Sequence, residues 1–391
     1  MAVDRGDRTP ERGVPAMERT GADKSVFGPY RVIQKLAGGG MAEIFLVAHQ
    51  DLPDKYFCLK KIRSDRDEDD SFHTMLLDEA RISARLTHPN IARVLGKVEH
   101  NGHLGLLLEY VDGIDLIRMQ RAFSERQSQL GLDVAIHLII EVLEGLEFAH
   151  RVRDEDGSPL NIVHRDVSPG NVMIDVEGRV RIIDWGIARA ERRMSQTEAG
   201  NVKGKFRYMA PEQIAGHVVG PFTDVYAAAM VLWEILANKR IYDKLELGEM
   251  MMRVSQAKCP SLDEARPGLP SMLHDVYRKA TTRAPENRFQ TAKDFAEALR
   301  RLPTELDPAG CRVRLKKATY TARLLESRRG YERAVEQARR IYQETEDSNL
   351  EGALMRALEE PDRVEKHASD VPPLPAEGLR AAKRASSSGS S

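Results

Sequence analysis

With 391 residues, 41% of them hydrophobic and 30% charged, the chain is long enough for a two-lobed globular body with tails. A formal net charge of −1 leaves no basic surplus for a nucleic-acid or membrane-surface partner. Three widely spaced cysteines, Cys58, Cys259 and Cys311, argue against a disulfide framework or a zinc site and fit a reducing cytoplasm. No apolar run reaches the ~18 residues of a spanning helix, and the charged N-terminus lacks an apolar signal core.

Residues 1–27 alternate charges with Gly, Pro and Thr and read as disordered. Order is expected from about Tyr30. Arg31–Leu36 reads as a strand and Ile44–Val47 as its hairpin partner. Between them lies Ala37-Gly38-Gly39-Gly40-Met41-Ala42, whose small residues let backbone N–H groups approach phosphates closely. Phe57–Ile62 is a third strand, and alternation sends Lys60 and Lys61 to opposite faces, Lys61 to solvent. Residues 64–71 form a polar loop. Phe72–Leu86, which contains Glu79, has helical spacing and stops at His88-Pro89-Asn90. Strands near Ala92–Val98 and Leu104–Glu109 join at Asn101-Gly102, with His100 and His103 as exposed turn residues.

Val134–His150 is apolar almost all round and predicts a buried helix. A polar loop, Asp154–Pro159, leads to a predicted strand at Asn161–Val163. Val172–Ile174 and Arg179–Ile183 form a hairpin around Glu177-Gly178. Residues 187–203 carry little apolar content. Thr223-Asp224 opens a strongly apolar helix to Ala237, with Asp224 as a candidate cap. Residues 246–302 give further helices broken by Pro260, Pro267 and Pro270. Tyr320, Leu324, Tyr331, Val335, Ile341, Leu350 and Leu354 recur at loosely helical intervals, which predicts a helical extension over 303–360. Residues 361–391, rich in Pro, Ala, Lys, Arg and Ser, read as disordered.

The candidate chemistry lies in Val163-His164-Arg165-Asp166-Val167-Ser168-Pro169-Gly170-Asn171 and in Asp184-Trp185-Gly186. Two carboxylates and an amide, Asp166, Asp184 and Asn171, suit a hard cation such as Mg²⁺ together with a proton acceptor. The local alternative is that both aspartates satisfy turn backbone. The order His-Arg-Asp, four residues, Asn, then Asp-aromatic-Gly resembles the protein kinases, over about residues 29–302 and in the bacterial, eukaryotic-like (Hanks-type) serine/threonine branch.

The resemblance implies an α+β, bilobal fold over 28–302. A small antiparallel β lobe with one helix (28–110) would sit over a larger helical lobe (111–302), with the helical extension beyond. It implies ATP under the loop Leu36, Ala37, Gly38, Gly39, Gly40, Met41 and Ala42. Lys60 would hold phosphates and Glu79 would orient Lys60. Asn171 and Asp184 would hold Mg²⁺, and Asp166 would accept or position a substrate hydroxyl. Leu108, Glu109 and Val111 would form the adenine hinge, Ile44, Cys58 and Met173 would sandwich the ring, and Asp115 would meet the ribose. Asp115 as a helix N-terminal acid is the plain alternative. Glu212 would pair with Arg288, Asp224 would hold the catalytic loop, and Arg165 would pair with a phosphate on Thr197 or Ser195.

The chain departs from the family at four positions. Ala37 and Ala42 replace the outer glycines. An Ala forced to positive φ costs about 1 kcal/mol, so the pair is expected to weaken nucleotide binding roughly ten- to thirtyfold. Ser168 stands where a lysine is usual, and Lys205 where a threonine is usual, which suggests that ammonium and hydroxyl have exchanged places. A P-loop at 200–205 is excluded, because the spacing is one residue short and Phe206 replaces the Mg²⁺-binding hydroxyl. The expectation is an ATP- and Mg²⁺-dependent serine/threonine protein kinase, cytoplasmic, acting on protein hydroxyls, with autophosphorylation in 187–203. No arginine follows the Asn171 loop in the tyrosine-kinase manner. The alternative is a pseudokinase scaffold, and residues 303–360 are a candidate surface for a partner or for self-association.

Overall fold

The computed structural model describes residues 26–38, 42–62, 77, 80–185 and 206–345, with side chains as far as 329. It divides into a unit spanning Lys24–Ala322 and a second comprising Met1–Asp23 with Arg323–Ser391. Among the described residues no helix is long and apolar enough to cross a membrane.

The first unit begins with an antiparallel six-stranded sheet in the order β1-β2-β3-β4-β6-β5. Its strands are β1 (Val26–Phe27), β2 (Tyr30–Gly38), β3 (Ala42–His49), β4 (Leu52–Ile62), β5 (Val94–His100) and β6 (His103–Glu109). Alternation gives the sheet two faces. Phe57, Leu59 and Leu107 pack with Phe27 and Val47 on one face. Ile62, Leu104 and Leu106 pack against Ala80, from helical residues 80–83, on the other. Lys60 lies opposite Leu106 on that second face, while the Lys61 ammonium lies over the Phe27 ring, 5.8 Å from its centroid. Lys61 therefore covers apolar surface on the opposite face instead of pointing freely to solvent.

The second layer is helical, with a small sheet at its edge. Strands β7 (Gly113–Asp115), β8 (Val172–Asp175) and β9 (Val180–Ile182) pair in that order. Helix α1 (Leu116–Glu125) follows β7, and α2 (Leu132–His150) buries Val134 to Val142 without interruption. Beyond residue 205 come α3 (Pro211–Ile214), α4 (Pro221–Ala237), α5 (Leu247–Ser255), α6 (Leu262–Ala265), α7 (Ser271–Ala280), α8 (Ala292–Arg300) and α9 (Pro308–Thr345). Helices α2, α4 and α8 pack on one another and form the core of this layer. Both α2 and α4 are apolar on every side, as expected of helices covered all round.

Three local expectations fail for identifiable reasons. No strand forms at 161–163; the next donors, His164 N and Arg165 N, go to the Asp224 carboxylate at 2.8 Å each. Strand β5 starts at Val94 because Ile91 and Ala92 are already paired with Ile182 of β9. Asp224 does not cap α4, since Gly220 takes that position and Asp224 lies inside the helix. Strand β7 was not foreseen because three residues carry no readable period. Its Gly113 lets the chains approach so closely that a Cβ there would lie 2.2 Å from the Ile174 carbonyl oxygen.

Candidate active site

Strands β3 and β4 bring Ile44 opposite Lys60, and β4 and β6 bring Cys58 opposite Leu108. Paired residues share a sheet face, so Ile44, Cys58, Lys60 and Leu108 line one surface. The chain leaves β6 at Glu109 and runs through buried Val111 into β7. The β7–β8 ladder then sets Asp115 directly opposite Met173. Residues 58 sequence positions apart thus become neighbours below the sheet.

The Lys60 ammonium reaches the Asp184 carboxylate at 2.7 Å, with the Lys60 side chain only 9% exposed. Asp184 follows β9, and Ile183 N donates to Asn171 O at 3.0 Å. The Asn171 side-chain amide donates to the Asp166 carbonyl at 2.7 Å. Lys60, Asp184, Asn171 and Asp166 are therefore joined in one chain of contacts. With its nitrogen engaged, the Asn171 amide presents its oxygen elsewhere. That oxygen and the Asp184 carboxylate are hard-oxygen donors, the kind that could hold Mg²⁺.

Both motif loops carry backbone strain. Arg165 has φ 64° and Asp184 has φ 56°, a region that costs side-chain-bearing residues about 1–2 kcal/mol each. Such strain persists where surroundings impose it. For the first loop the surroundings are Asp224, which is fully buried and accepts from His164 N, Arg165 N and the His150 imidazole at 2.8 Å each. Burial on its own raises the Asp224 pKa. The His150 hydrogen bond, the His150 and His164 charges and the backbone bond from His164 outweigh it, and the net shift is downward. Gln213 adds a bond from its amide to the Arg165 carbonyl at 3.0 Å. Arg165 Nε is buried and has no hydrogen-bond partner among the described residues.

Ser168 precedes the short 3₁₀ turn Pro169–Asn171; its carbonyl accepts from Asn171 N at 3.0 Å. Burial pushes the Cys58 thiol up to about 12, so it stays protonated and behaves as a small apolar group. Asp115 caps α1 by accepting from Arg118 N at 2.9 Å, which fulfils the plain helix-acid reading whatever else it contacts.

At the roof, Ala37 lies opposite Ile44, just after a register shift in the β2–β3 ladder, and Ala42 lies opposite Ile62; neither has positive φ. The expected strain at these two alanines does not arise, because the hairpin keeps both in extended backbone. Leu36 is half-buried beside exposed Ala37 and Gly38. Gly39, Gly40, Met41, Glu79, Ser195, Thr197 and Lys205 lie outside the described residues.

Glu212 and Arg288 stand apart from this cleft as a buried anchor. Arg288 Nη1 and Nη2 donate to the two Glu212 oxygens at 2.7 and 2.8 Å. Thr223 Oγ1 donates to the same carboxylate at 2.8 Å, one residue before Asp224. The anchor thus meets the helix turn that carries the catalytic-loop support.

Sequence reasoning missed several residues. His150 ends α2 and meets Asp224 from 74 positions away, and nothing local announces it. Arg181 donates to the Glu109 side chain and, at 2.7 Å, to the Pro89 carbonyl, tying β9 to the connection after β6. Glu234 accepts from Tyr208 OH at 2.9 Å and Ile241 N at 2.6 Å. A buried carboxylate in an otherwise apolar helix was the available signal. Burial pushes Glu234 up to about 7, against the lowering effects of the Ile241 and Tyr208 hydrogen bonds.

Residues 30–300 match the family model described as the protein kinase domain. The chain is 38% identical over 277 residues to "Tyrosine-protein kinase MasK" of Myxococcus xanthus, covering 70% of this chain and 43% of that protein. It is 29% identical over 272 residues to "Serine/threonine-protein kinase PrkC" of Bacillus subtilis, covering 70% and 40% respectively. The chain thus spans less than half the length of these relatives. A crystal structure of the Mycobacterium tuberculosis PknI kinase domain aligns with TM-score 0.55 and 28% identity, over 72% of this chain and 98% of that one. With the curled antiparallel sheet above a helical layer and the matched motifs on one cleft, the chain belongs to the protein kinase family, in its bacterial Hanks-type branch.

Proposed function

We propose that residues 28–302 form a catalytic unit that transfers the terminal phosphoryl group of ATP to protein hydroxyls, with Ser and Thr as favoured acceptors. The observation that carries this reading is the continuous set of contacts from Lys60 through Asp184 and Asn171 to Asp166. Phosphoryl transfer asks mainly for positioning and charge neutralisation. Lys60 would neutralise ATP phosphates, and the hinge at Leu108–Val111 with Ile44, Cys58 and Met173 would hold the adenine. Asp166 would orient the acceptor hydroxyl and take up its proton. Asn171 and Asp184 would hold Mg²⁺, whose role when bound is to offset phosphate charge. Lys205, exchanged with Ser168, would add a further positive charge beside the transferred group.

A pseudokinase scaffold rested partly on the strain expected at Ala37 and Ala42, and their extended backbone removes that support. A second reading of the acceptor has a specific observation behind it, since the relative at 38% identity is named a tyrosine kinase. Arg165, whose buried Nε has no hydrogen-bond partner among the described residues, is the candidate receiver for a phosphate on Thr197 or Ser195.

Incubation with labelled ATP and Mg²⁺ tests the reading. Asp166→Asn should lose about 10²–10⁴-fold in label transfer. Equal labelling of wild type and variant would sink the enzyme reading. Acid hydrolysis of the labelled product should give phosphoserine and phosphothreonine; phosphotyrosine alone would assign the acceptor to the second reading.

A further inference from the structure

The first turns of α9, residues 308–322, lie against α2 and the β8–β9 turn within the same unit. Cys311, Leu315, Thr319 and Ala322 are fully buried there. The approach is backbone to backbone: Gly178, at φ +79°, would place a Cβ 2.2 Å from the Arg312 carbonyl oxygen. Lys316 adds an exposed ion pair to Glu177 at 2.8 Å.

Glu141, on α2 and 8% exposed at its side chain, is the junction beneath this contact. Its Oε1 accepts from Arg312 Nη2 at 3.1 Å and lies 3.5 Å from His137 Nε2. Its Oε2 accepts from Asn90 Nδ2 and from Val180 N, at 3.2 Å each. Asn90 in turn donates to Val180 O at 3.0 Å and accepts from Ile182 N at 2.8 Å. Val180 is thus held by the Glu141 carboxylate and the Asn90 side-chain amide, and Ile182, at the other end of β9, by the Asn90 backbone carbonyl. Two residues beyond Ile182 lies Asp184, at positive φ and paired with Lys60.

We infer that Arg312 is a positioning residue: through Glu141 it fixes the register of β9 and so holds Asp184 in the strained geometry that receives the metal and Lys60. This rests on the reading of Asp184 as a metal ligand. The physical logic is a population effect. A buried carboxylate needs its full set of donors to keep one arrangement. Removing the Arg312 donor lets β9 and Asp184 sample others, and nucleotide affinity falls with the competent fraction.

The test uses the full chain with Trp233→Phe, leaving Trp185 as the sole tryptophan. Trp185 follows Asp184, is 3% exposed and lies 4.7 Å from the His164 ring centroid, so its emission reports the packing of that segment. The variants are Arg312→Ala, Arg312→Lys and Lys316→Ala. Arg312→Ala should increase acrylamide quenching of Trp185 and raise KM for MgATP about three- to tenfold, with a smaller change in kcat. Arg312→Lys should recover most of both effects, and Lys316→Ala should move neither. An Arg312→Ala protein that melts earlier yet keeps wild-type quenching and KM would overturn the inference, leaving Arg312 a packing residue only. If the parent neither binds nor turns over nucleotide, the proposed function fails, and the quenching comparison still decides whether Arg312 governs the Asp184 segment.

Discussion

Two ion pairs mark the contrast between the roof of the cleft and its floor. Lys35 and Glu43 join β2 to β3 across the glycine-rich hairpin, with side chains 50% and 28% exposed. Arg288 and Glu212 join the end of the helical layer to α3, with side chains 0% and 2% exposed. The roof pair is screened by water and gives up side-chain freedom, so its net worth is small. The floor pair has no water to fall back on, and each partner depends on the other. A roof that, on the proposed function, would admit and release a nucleotide is held lightly. A floor that must keep Arg165 strained and Asp166 in place is held by buried charge.

The largest effect expected from this contrast is on stability. Glu212→Ala leaves the buried Arg288 guanidinium with only carbonyl partners and should lower unfolding free energy by about 3–5 kcal/mol. Glu43→Ala should change it by less than about 1 kcal/mol. Urea midpoints at constant m-value measure both. Equal losses would erase the distinction between roof and floor.

The next effect is pH dependence, carried by two buried carboxylates of the floor. Glu234 titrates in the folded protein at about 7, above its ordinary value of 4.5. Its contribution is fully present below 4.5 and is lost as pH rises toward 7, because the unfolded chain ionises first. Asp224, shifted below 3.8, acts in the opposite sense and in a lower window, losing its contribution as pH falls. Glu234 therefore contributes a fall in melting temperature as pH rises from 4.5 to 7, against which His88 and His137, whose pKa values burial lowers, act in the opposite sense. Glu234→Gln keeps an acceptor for Tyr208 and should remove that fall. A slope unchanged in the variant would assign the dependence to another group.

How much of this was legible in the sequence differs between the same two regions. The roof is local: strand alternation placed Lys60 and Lys61 on opposite faces, and the hairpin partners lie a few residues apart. The motif order also announced Asp166, Asn171 and Asp184, because each belongs to a short run with fixed spacing. The floor is not local. Asp224 read as a cap because a helix start is the common place for Asp, whereas its real partners are His150, His164 and Arg165. Glu141 read as one more residue of a buried helix, and only the fold reveals the four groups converging on it. A buried carboxylate whose donors lie 40 to 170 positions away leaves no pattern that periodicity can detect.

The smallest expected effect sits at the roof and tests the one place where sequence and structure disagree on energy. If Ala37 and Ala42 needed positive φ to grip phosphate, Ala37→Gly with Ala42→Gly would relieve about 1 kcal/mol at each and improve KM for ATP roughly ten- to thirtyfold. The ladders place both alanines in extended backbone, so no such relief is available. Glycine there only adds backbone freedom, which costs about 0.5–1 kcal/mol in a strand. The double variant should thus leave KM for ATP within a few-fold of wild type, on the weaker side. A tenfold improvement would mean that the hairpin changes its backbone when it closes on nucleotide. The lightly held roof would then carry strain of its own, as Arg165 and Asp184 do below it.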